Sequence, residues 1–255
     1  MPDENVTGLR PVHQRCSDCP IRHRAVCSYC APAQLAELDA IKFYVDYAPG
    51  REIVGTGEPT KSLGSVVSGV VALQKILSDG RRQIVGLLFP GDFIGRPFEQ
   101  RAPYDAVAVT PVKMCLFRRS QFEDLLTREP ELEHRLLEMT LNELDAARDW
   151  MVLLGRKTAR EKVASFLVVL ARRAAVLEQA RLADGLAFQI PLSRDAIAEH
   201  LGLTIETVSR QLTQLRKDAL IHLDGARDVR LRDYRGLLEA SGDDGDWDDT
   251  LVDSA

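Results

Sequence analysis

Between residues 130 and 155, small and apolar side chains recur at a 3-4-3-4-3 spacing: Leu137, Thr140, Leu144, Ala147, Met151 and Leu154. That period predicts one long helix carrying a coiled-coil seam, and a seam of this kind needs a partner helix. The pattern before it is different. Residues 34–128 run in short apolar stretches broken by Pro49-Gly50, Gly55-Thr56-Gly57, Asp79-Gly80 and Pro90-Gly91-Asp92. Strands at such intervals predict a barrel or roll. Residues 65–76 and 83–89, on either side of Asp79-Gly80, predict a hairpin. Residues 34–41 read as a short opening helix and residues 120–127 as a short closing one.

After the long helix the period of 3.6 returns. A helix is expected over residues 158–183, with Val163, Phe166, Leu167 and Leu170 facing inward. A short strand over residues 187–190 ends at Pro191. Ser193 caps a helix over residues 193–201, Gly202 makes a turn, and Thr204 caps a helix running to about residue 218. Residues 221–223 and 229–231, joined around Asp224-Gly225, predict a second hairpin. The expected architecture is α+β. It comprises a cysteine-rich cap (residues 1–30), a β-roll (31–128), a dimerisation helix (129–157), a winged helix-turn-helix (158–240) and an acidic disordered tail (241–255).

The 255 residues suffice for two modest domains. No apolar run approaches the roughly 18 residues of a membrane span, and the start has no signal-peptide core, so a cytoplasmic protein without membrane association is expected. Thiols stay reduced there. The net charge of −5 is unevenly spread. Six aspartates lie in residues 241–255 with no Lys or Arg, and without them the chain carries +1. Arg194, Arg210, Arg216, Lys217, Arg227, Arg230, Arg232 and Arg235 meanwhile make a locally basic face available to nucleic acid. No nucleophile–base constellation, P-loop or dinucleotide fingerprint is present, so an enzyme is not expected.

The most specific stretch is residues 194–210. Ala198 is small where two helices cross closely, and Gly202 sits where the turn needs a positive φ. Ile197, Leu203, Val208 and either Leu212 or Leu215 supply a buried face. Glu206, Ser209 and Arg210 then face outward near the start of the second helix, with Thr204 and Thr207 beside them. That end of a recognition helix enters the major groove of double-stranded DNA. Arg can grip guanine O6 and N7, and Glu can accept from cytosine N4.

Four of the five cysteines form two pairs, Cys16/Cys19 and Cys27/Cys30, and the fifth is Cys115. In a reducing compartment such clustering points to a metal or a thiol sensor rather than disulfides. Two CxxC pairs could close a Cys₄ zinc site on Cys16, Cys19, Cys27 and Cys30, although the seven residues between them are few for a zinc finger. The spacing is not a ferredoxin run either. Along residues 112–117, alternation puts Val112, Met114 and Leu116 on one face and Cys115 on the other. Cys115 then either points toward the cap or serves as a small core residue. His13 and His23 are potential ligands in a polar segment.

Leu201-Gly202-Leu203-Thr204-Ile205-Glu206-Thr207-Val208-Ser209-Arg210 and Phe89-Pro90-Gly91-Asp92-Phe93-Ile94-Gly95 resemble the fumarate–nitrate-reduction regulator (FNR) branch of the cAMP-receptor-protein superfamily. The resemblance covers nearly the whole chain. It implies that the roll is a cyclic-nucleotide-binding-like jelly roll and that Glu206, Ser209 and Arg210 read a TTGAT…ATCAA palindrome. It also implies a [4Fe–4S] cluster on Cys16, Cys19, Cys27 and Cys115, lost on exposure to O₂, that supports a DNA-binding homodimer. The chain departs from the best-known pattern in the longer gap between Cys19 and Cys27, so Cys30 is an alternative to Cys27. RNA polymerase is a further implied partner, with residues 81–88 as a candidate surface. Superfamily members that bind a cyclic nucleotide place a cation before the alanine at Ala106. Asp105 stands there instead and would repel a phosphate, so no cyclic nucleotide is expected. Regulators of the same fold with structural zinc or bare thiols, and an iron–sulfur electron-transfer protein, are the competing readings.

Overall fold

The structure, a computed structural model, describes residues 15–243. They fall into two compact units: residues 15–75 with 85–141, and residues 76–84 with 142–243. No described helix is long and apolar enough to cross a membrane.

In the first unit, tight turns through residue 30 lead into α1 (Pro32–Ile41). The roll follows as β1 (Lys42–Tyr47), β2 (Glu52–Val54), β3 (Ser62–Ser68), β4 (Val71–Ile76), β5 (Arg82–Leu88), β6 (Phe93–Ile94), β7 (Asp105–Ala108) and β8 (Val112–Arg118). One sheet has the order β1-β8-β3-β6 and the other β2-β7-β4-β5. Val66, Leu73, Leu88, Ile94, Met114 and Leu116 fill the space within the roll. α2 (Arg119–Leu126) and the start of α3 (Pro130–Arg156) close the unit. The expected strand over residues 65–76 is in fact two strands in different sheets. Gly69, at φ +86°, redirects the chain between them, and a Cβ there would stand 2.2 Å from the Pro111 carbonyl oxygen.

Strand β8 has the expected alternation, and both of its faces are covered. Val112, Met114 and Leu116 look into the roll. Cys115 and Phe117 look the other way, into a second apolar cluster with Leu38 of α1, Phe122 and Leu125 of α2, and Ile21 and Val26 of the cap. β3 approaches β8 very closely beside Cys115, because Gly64 has no side chain. A Cβ at Gly64 would lie 2.0 Å from the Cys115 carbonyl oxygen.

In the second unit, α4 (Ala159–Leu177) starts at a capping box: Thr158 accepts from the Glu161 N–H, and the Glu161 carboxylate accepts from the Thr158 N–H. The helix stops six residues before the expected end. Gln179 takes φ +51°, and the Ala180 N–H reaches back to the Ala175 carbonyl, a C-terminal closure made without glycine. β9 (Ala187–Gln189), β10 (Ile221–Asp224) and β11 (Asp228–Leu231) form the wing, in the order β10-β11-β9. α5 (Arg194–Leu201) and α6 (Ile205–Lys217) are capped by Ser193 and Thr204 as expected, and Gly202 has φ +61°. An unexpected helix, α7 (Tyr234–Ser241), is capped by Asp233 and packs on α4 through the buried Leu237. The tail is therefore shorter than its composition suggested. Asp243 is buried and pairs with Lys157, which also donates to the Ser165 hydroxyl at 2.9 Å. The remaining acidic positions lie outside the described residues.

His200 on α5 is fully enclosed within this unit. Its ring stacks on Trp150 at 4.3 Å between centroids and meets Phe166 edge-on. Nδ1–H donates to the Ile84 carbonyl at 3.0 Å. Burial pulls its pKa down to about 4, against the opposing pull of that hydrogen bond.

Two outcomes follow from this packing. Gly64→Ala should cost about 2 kcal/mol or more, read as a lower urea midpoint, because backbone has to move to admit the methyl group. His200 is neutral when folded, whereas the unfolded side chain titrates at about 6.5. Its contribution is therefore present above about pH 6.5 and is lost as the pH falls through about 4, by roughly 3 kcal/mol in all. Urea midpoints of the wild type and His200→Gln across that window should show the slope in the wild type and its loss in the variant.

Candidate metal centre and nucleic-acid interface

The cap begins with a 3₁₀ turn, Cys16–Asp18, and continues as overlapping turns to Cys30. It is more than the polar loop its composition suggests. Ile21, Ala25 and Val26 are buried against Leu132 and Met139 of α3. The Arg22 guanidinium draws the second CxxC loop inward by donating to the carbonyls of Ser28 (2.7 Å) and Cys30 (2.9 Å). Asp39 of α1 accepts from the Cys16 N–H at 2.8 Å. Lys42, at the start of β1, pairs with Asp39, and its Nζ is 3.5 Å from Cys16 Sγ. Neither Arg22 nor the Asp39/Lys42 pair was singled out from the sequence. For Arg22, a charge between the two CxxC pairs was the available signal; nothing in the spacing pointed to Asp39 or Lys42.

All five cysteines are free thiols. Cys16, Cys27, Cys30 and Cys115 are buried and Cys19 is partly so. Cys19, Cys27, Cys30 and Cys115 share one packed cluster, so strand β8 does deliver Cys115 to the cap. Burial raises every resolved thiol. Cys27 goes to about 12, partly offset by Arg22, and Cys30 to about 11, again eased by Arg22. Cys16 is raised by burial and eased by Lys42. Cys115 is raised further still, first by burial and then by the neighbouring thiols of Cys16, Cys19 and Cys27. Cys27 is raised in turn by Cys16, Cys19 and Cys30. Burial disfavours the thiolate forms of Cys16, Cys27, Cys30 and Cys115. His23 is exposed, and His13 lies outside the described residues.

Among the described residues, no three His, Cys, Asp or Glu side chains converge as ligands of a single ion. Zinc would need its thiolates on a sphere of about 2.3 Å radius. An iron–sulfur cluster gives each thiolate its own iron and accepts a wider ring. Thiolates are the ligand type either group takes, and the described residues offer five: Cys16, Cys19, Cys27, Cys30 and Cys115.

The cap also grips α3. Arg135, itself buried, donates to the Arg24 carbonyl at 3.0 Å, and its guanidinium carbon lies 5.3 Å from the ring centroid of Tyr29. Tyr29 sits between Cys27 and Cys30 and stacks on His134. The seam expected on α3 lies on another face. Leu137 is 54% and Met151 72% exposed, Leu144 is also exposed, as are Thr140 and Ala147, and Leu154 is half-buried.

On α6, Val208, Leu212 and Leu215 are buried, while Glu206 and Arg210 are exposed and Ser209 is partly exposed. Thr204 accepts from the Thr207 N–H at 3.3 Å, and Arg210 Nη2 donates to the Thr207 hydroxyl at 3.4 Å. The Glu206 carboxyl is held below the usual range by its own backbone N–H and by the Thr204 hydroxyl. At the roll, Pro103 and Tyr104 line a cavity of about 590 Å³. Asp105 commits its Oδ1 to the Thr56 N–H at 2.6 Å.

This geometry has close counterparts. Residues 44–129 match the cyclic nucleotide-binding domain model and residues 161–240 the Crp-like helix-turn-helix domain model. The chain is 51% identical to the transcriptional activator protein FnrL of Cereibacter sphaeroides, over 91% of this chain and 94% of that protein. It is 41% identical to the nitrogen fixation regulation protein FixK of Bradyrhizobium diazoefficiens, over 88% and 96%. The solved structure of FixK2 from Bradyrhizobium japonicum superposes with a TM-score of 0.71 at 37% identity, covering 78% of this chain and 97% of that one. The chain belongs to the FNR/FixK branch of the cAMP-receptor-protein superfamily. It is accordingly a DNA-binding transcription regulator, and the α5–α6 unit is its helix-turn-helix.

Within that reader, Arg210→Ala should weaken binding to an FNR-type palindrome by about 1–3 kcal/mol and relax the preference at one guanine. Arg232→Ala on the exposed wing should weaken all sequences alike and flatten the salt dependence. Titrations of matched and mutated duplexes at two salt concentrations distinguish the two effects.

Proposed function

We propose that this regulator responds to oxygen through a [4Fe–4S] cluster held by Cys16, Cys19, Cys27 and Cys115, which supports a homodimer that binds an FNR-type palindrome when oxygen is low. The observation that carries this reading is the meeting of Cys115, on a roll strand, with the cap residues Cys19, Cys27 and Cys30 in one packed cluster that also contains Leu132 and Met139 of α3. Bound there, the cluster would supply the oxygen-labile chemistry.

The chain's own residues would do the rest. Four thiolates tie the cap to β8. The cap in turn bears on α3 through Ile21, Val26, Tyr29 and the Arg135–Arg24 hydrogen bond. Without the tie, the cap keeps its apolar contacts and the Arg135–Arg24 hydrogen bond but loses its covalent anchor to β8. The exposed seam of Leu137, Thr140, Leu144, Ala147 and Met151 is the face offered to a second copy. Pairing there suits a two-fold reader whose recognition helices address half-sites about one DNA turn, 34–36 Å, apart. A coupling of about 1–3 kcal/mol between cap and helix is enough to switch occupancy by roughly 5–150-fold.

The relatives' activator names support RNA polymerase as a further partner. Of residues 81–88, Arg82 is held by Glu199 at 2.9 Å, whereas Arg81 and Val85 are exposed. A cyclic nucleotide is not the effector in this reading: Asp105 precedes Ala106 where superfamily members that bind one carry a cation, and the cations that line the roll cavity are instead Arg51, Lys61, Arg96 and Arg101.

Anaerobically purified protein should contain about four irons and four sulfides per chain, with a visible absorption band, and should bind the palindrome as a dimer. Cys115→Ser should lose the iron and the DNA binding but keep the helical circular dichroism. Air should abolish iron, dimer and binding together in the wild type. Zinc without iron in oxygen-free material would favour the structural-zinc reading, and DNA affinity unchanged by air would remove the oxygen switch.

A further inference from the structure

Lys42 is not among the expected ligands, yet its placement is constrained. It follows α1 directly as the first residue of β1, its side chain is 8% exposed, and Nζ lies 3.5 Å from Cys16 Sγ. Asp39 fixes both partners: the same Oδ1 accepts from the Cys16 N–H at 2.8 Å and pairs with the Lys42 ammonium. Nζ also lies 5.7 Å from the ring centroid of Tyr44, the residue directly across from Cys115 in the β1–β8 pairing. The ammonium therefore sits between a cap thiol and the strand that carries the roll thiol. The other cation close to the cap thiols, Arg22, is turned to the carbonyls of Ser28 and Cys30.

We propose that Lys42 tunes the cluster: its ammonium donates to the Cys16 thiolate and favours the more negative oxidation state of the bound group. This rests on the cluster reading above. Four thiolates concentrate negative charge in a region sheltered from water, where a neighbouring positive charge is poorly screened. Hydrogen bonds and charge at the ligating sulfurs are among the levers that set the potential of such a centre. A charge-assisted bond from an ammonium is the stronger kind. The couple concerned is one-electron: the group takes up one electron, no bond breaks, and the added charge lies nearest the ammonium. Asp39 holds the Cys16 backbone whatever occupies position 42, so a neutral side chain of similar length leaves the turn supported.

The test compares anaerobically purified full-length wild type, Lys42→Met and Lys42→Arg, each reconstituted with iron and sulfide. Iron content, midpoint potential by spectroelectrochemical titration, and the rate at which visible absorbance is lost in air are measured. All three should load equally. Lys42→Met should have a lower midpoint potential and bleach several-fold faster, with Lys42→Arg restoring both toward wild type. A Lys42→Met protein that loads normally with wild-type potential and bleaching overturns the assignment of Lys42 alone. Wild type that takes up no iron overturns both this inference and the cluster reading. If Lys42→Met fails to load, Lys42→Arg decides. Normal loading and potential there support the charge, and failure of both variants makes Lys42 a packing residue and overturns the proposal.

Discussion

Strand β8 has apolar side chains on both faces, and the two faces belong to different layers. Met114 and Leu116 close the interior of the roll, while Cys115 and Phe117 receive the cap, α1 and α2. Phe117 stacks on Phe122 at 5.1 Å, and Leu38 and Leu63 beside them are fully enclosed. Each such side chain contributes about 1.5–3 kcal/mol by leaving water. The cap is thus held by ordinary hydrophobic packing before any metal is considered. The cost falls on Cys16, Cys27, Cys30 and Cys115, whose pKa values burial raises. Metal binding at such a site must displace protons and is coupled to pH and to local order.

The same packing gives α3 its two roles. Its first turns carry Leu132, Arg135 and Met139 toward the cap, and its outer face carries Leu137, Leu144 and Met151 in the open. Tyr29 lies inside the second CxxC loop and under the Arg135 guanidinium, which joins that loop to the helix. The DNA reader needs no such help to form. α5 and α6 are capped by their own Ser193 and Thr204, and the Gly202 turn and buried Leu201, Val208 and Leu212 set their crossing.

Much of this was legible from the order of residues alone, because the determinants are local. The helix period of α3, the caps and glycine of the helix-turn-helix, the turn pairs of the roll and the alternation of β8 act within a few residues of one another. Period two put Cys115 on the face opposite Val112, Met114 and Leu116, but left open whether it met the cap or served as a small core residue. Expectations failed where a local rule had a nonlocal exception. Residues 65–76 look like one strand until Gly69 meets the Pro111 carbonyl. α4 ends at a left-handed Gln179 with no glycine to announce it. Asp243 looks like part of a solvated acidic run, but Lys157 draws it in.

The sequence by itself determined the element types, the helix-turn-helix and the clustering of cysteines, since each is written in spacing. Only the tertiary structure decided which thiols share a neighbourhood, that Arg135 and Tyr29 join cap to helix, and that Lys42 stands beside Cys16. These contacts join segments of the chain far apart in number. Burial and charge in a shared low-dielectric space govern them, and a linear pattern carries no record of that.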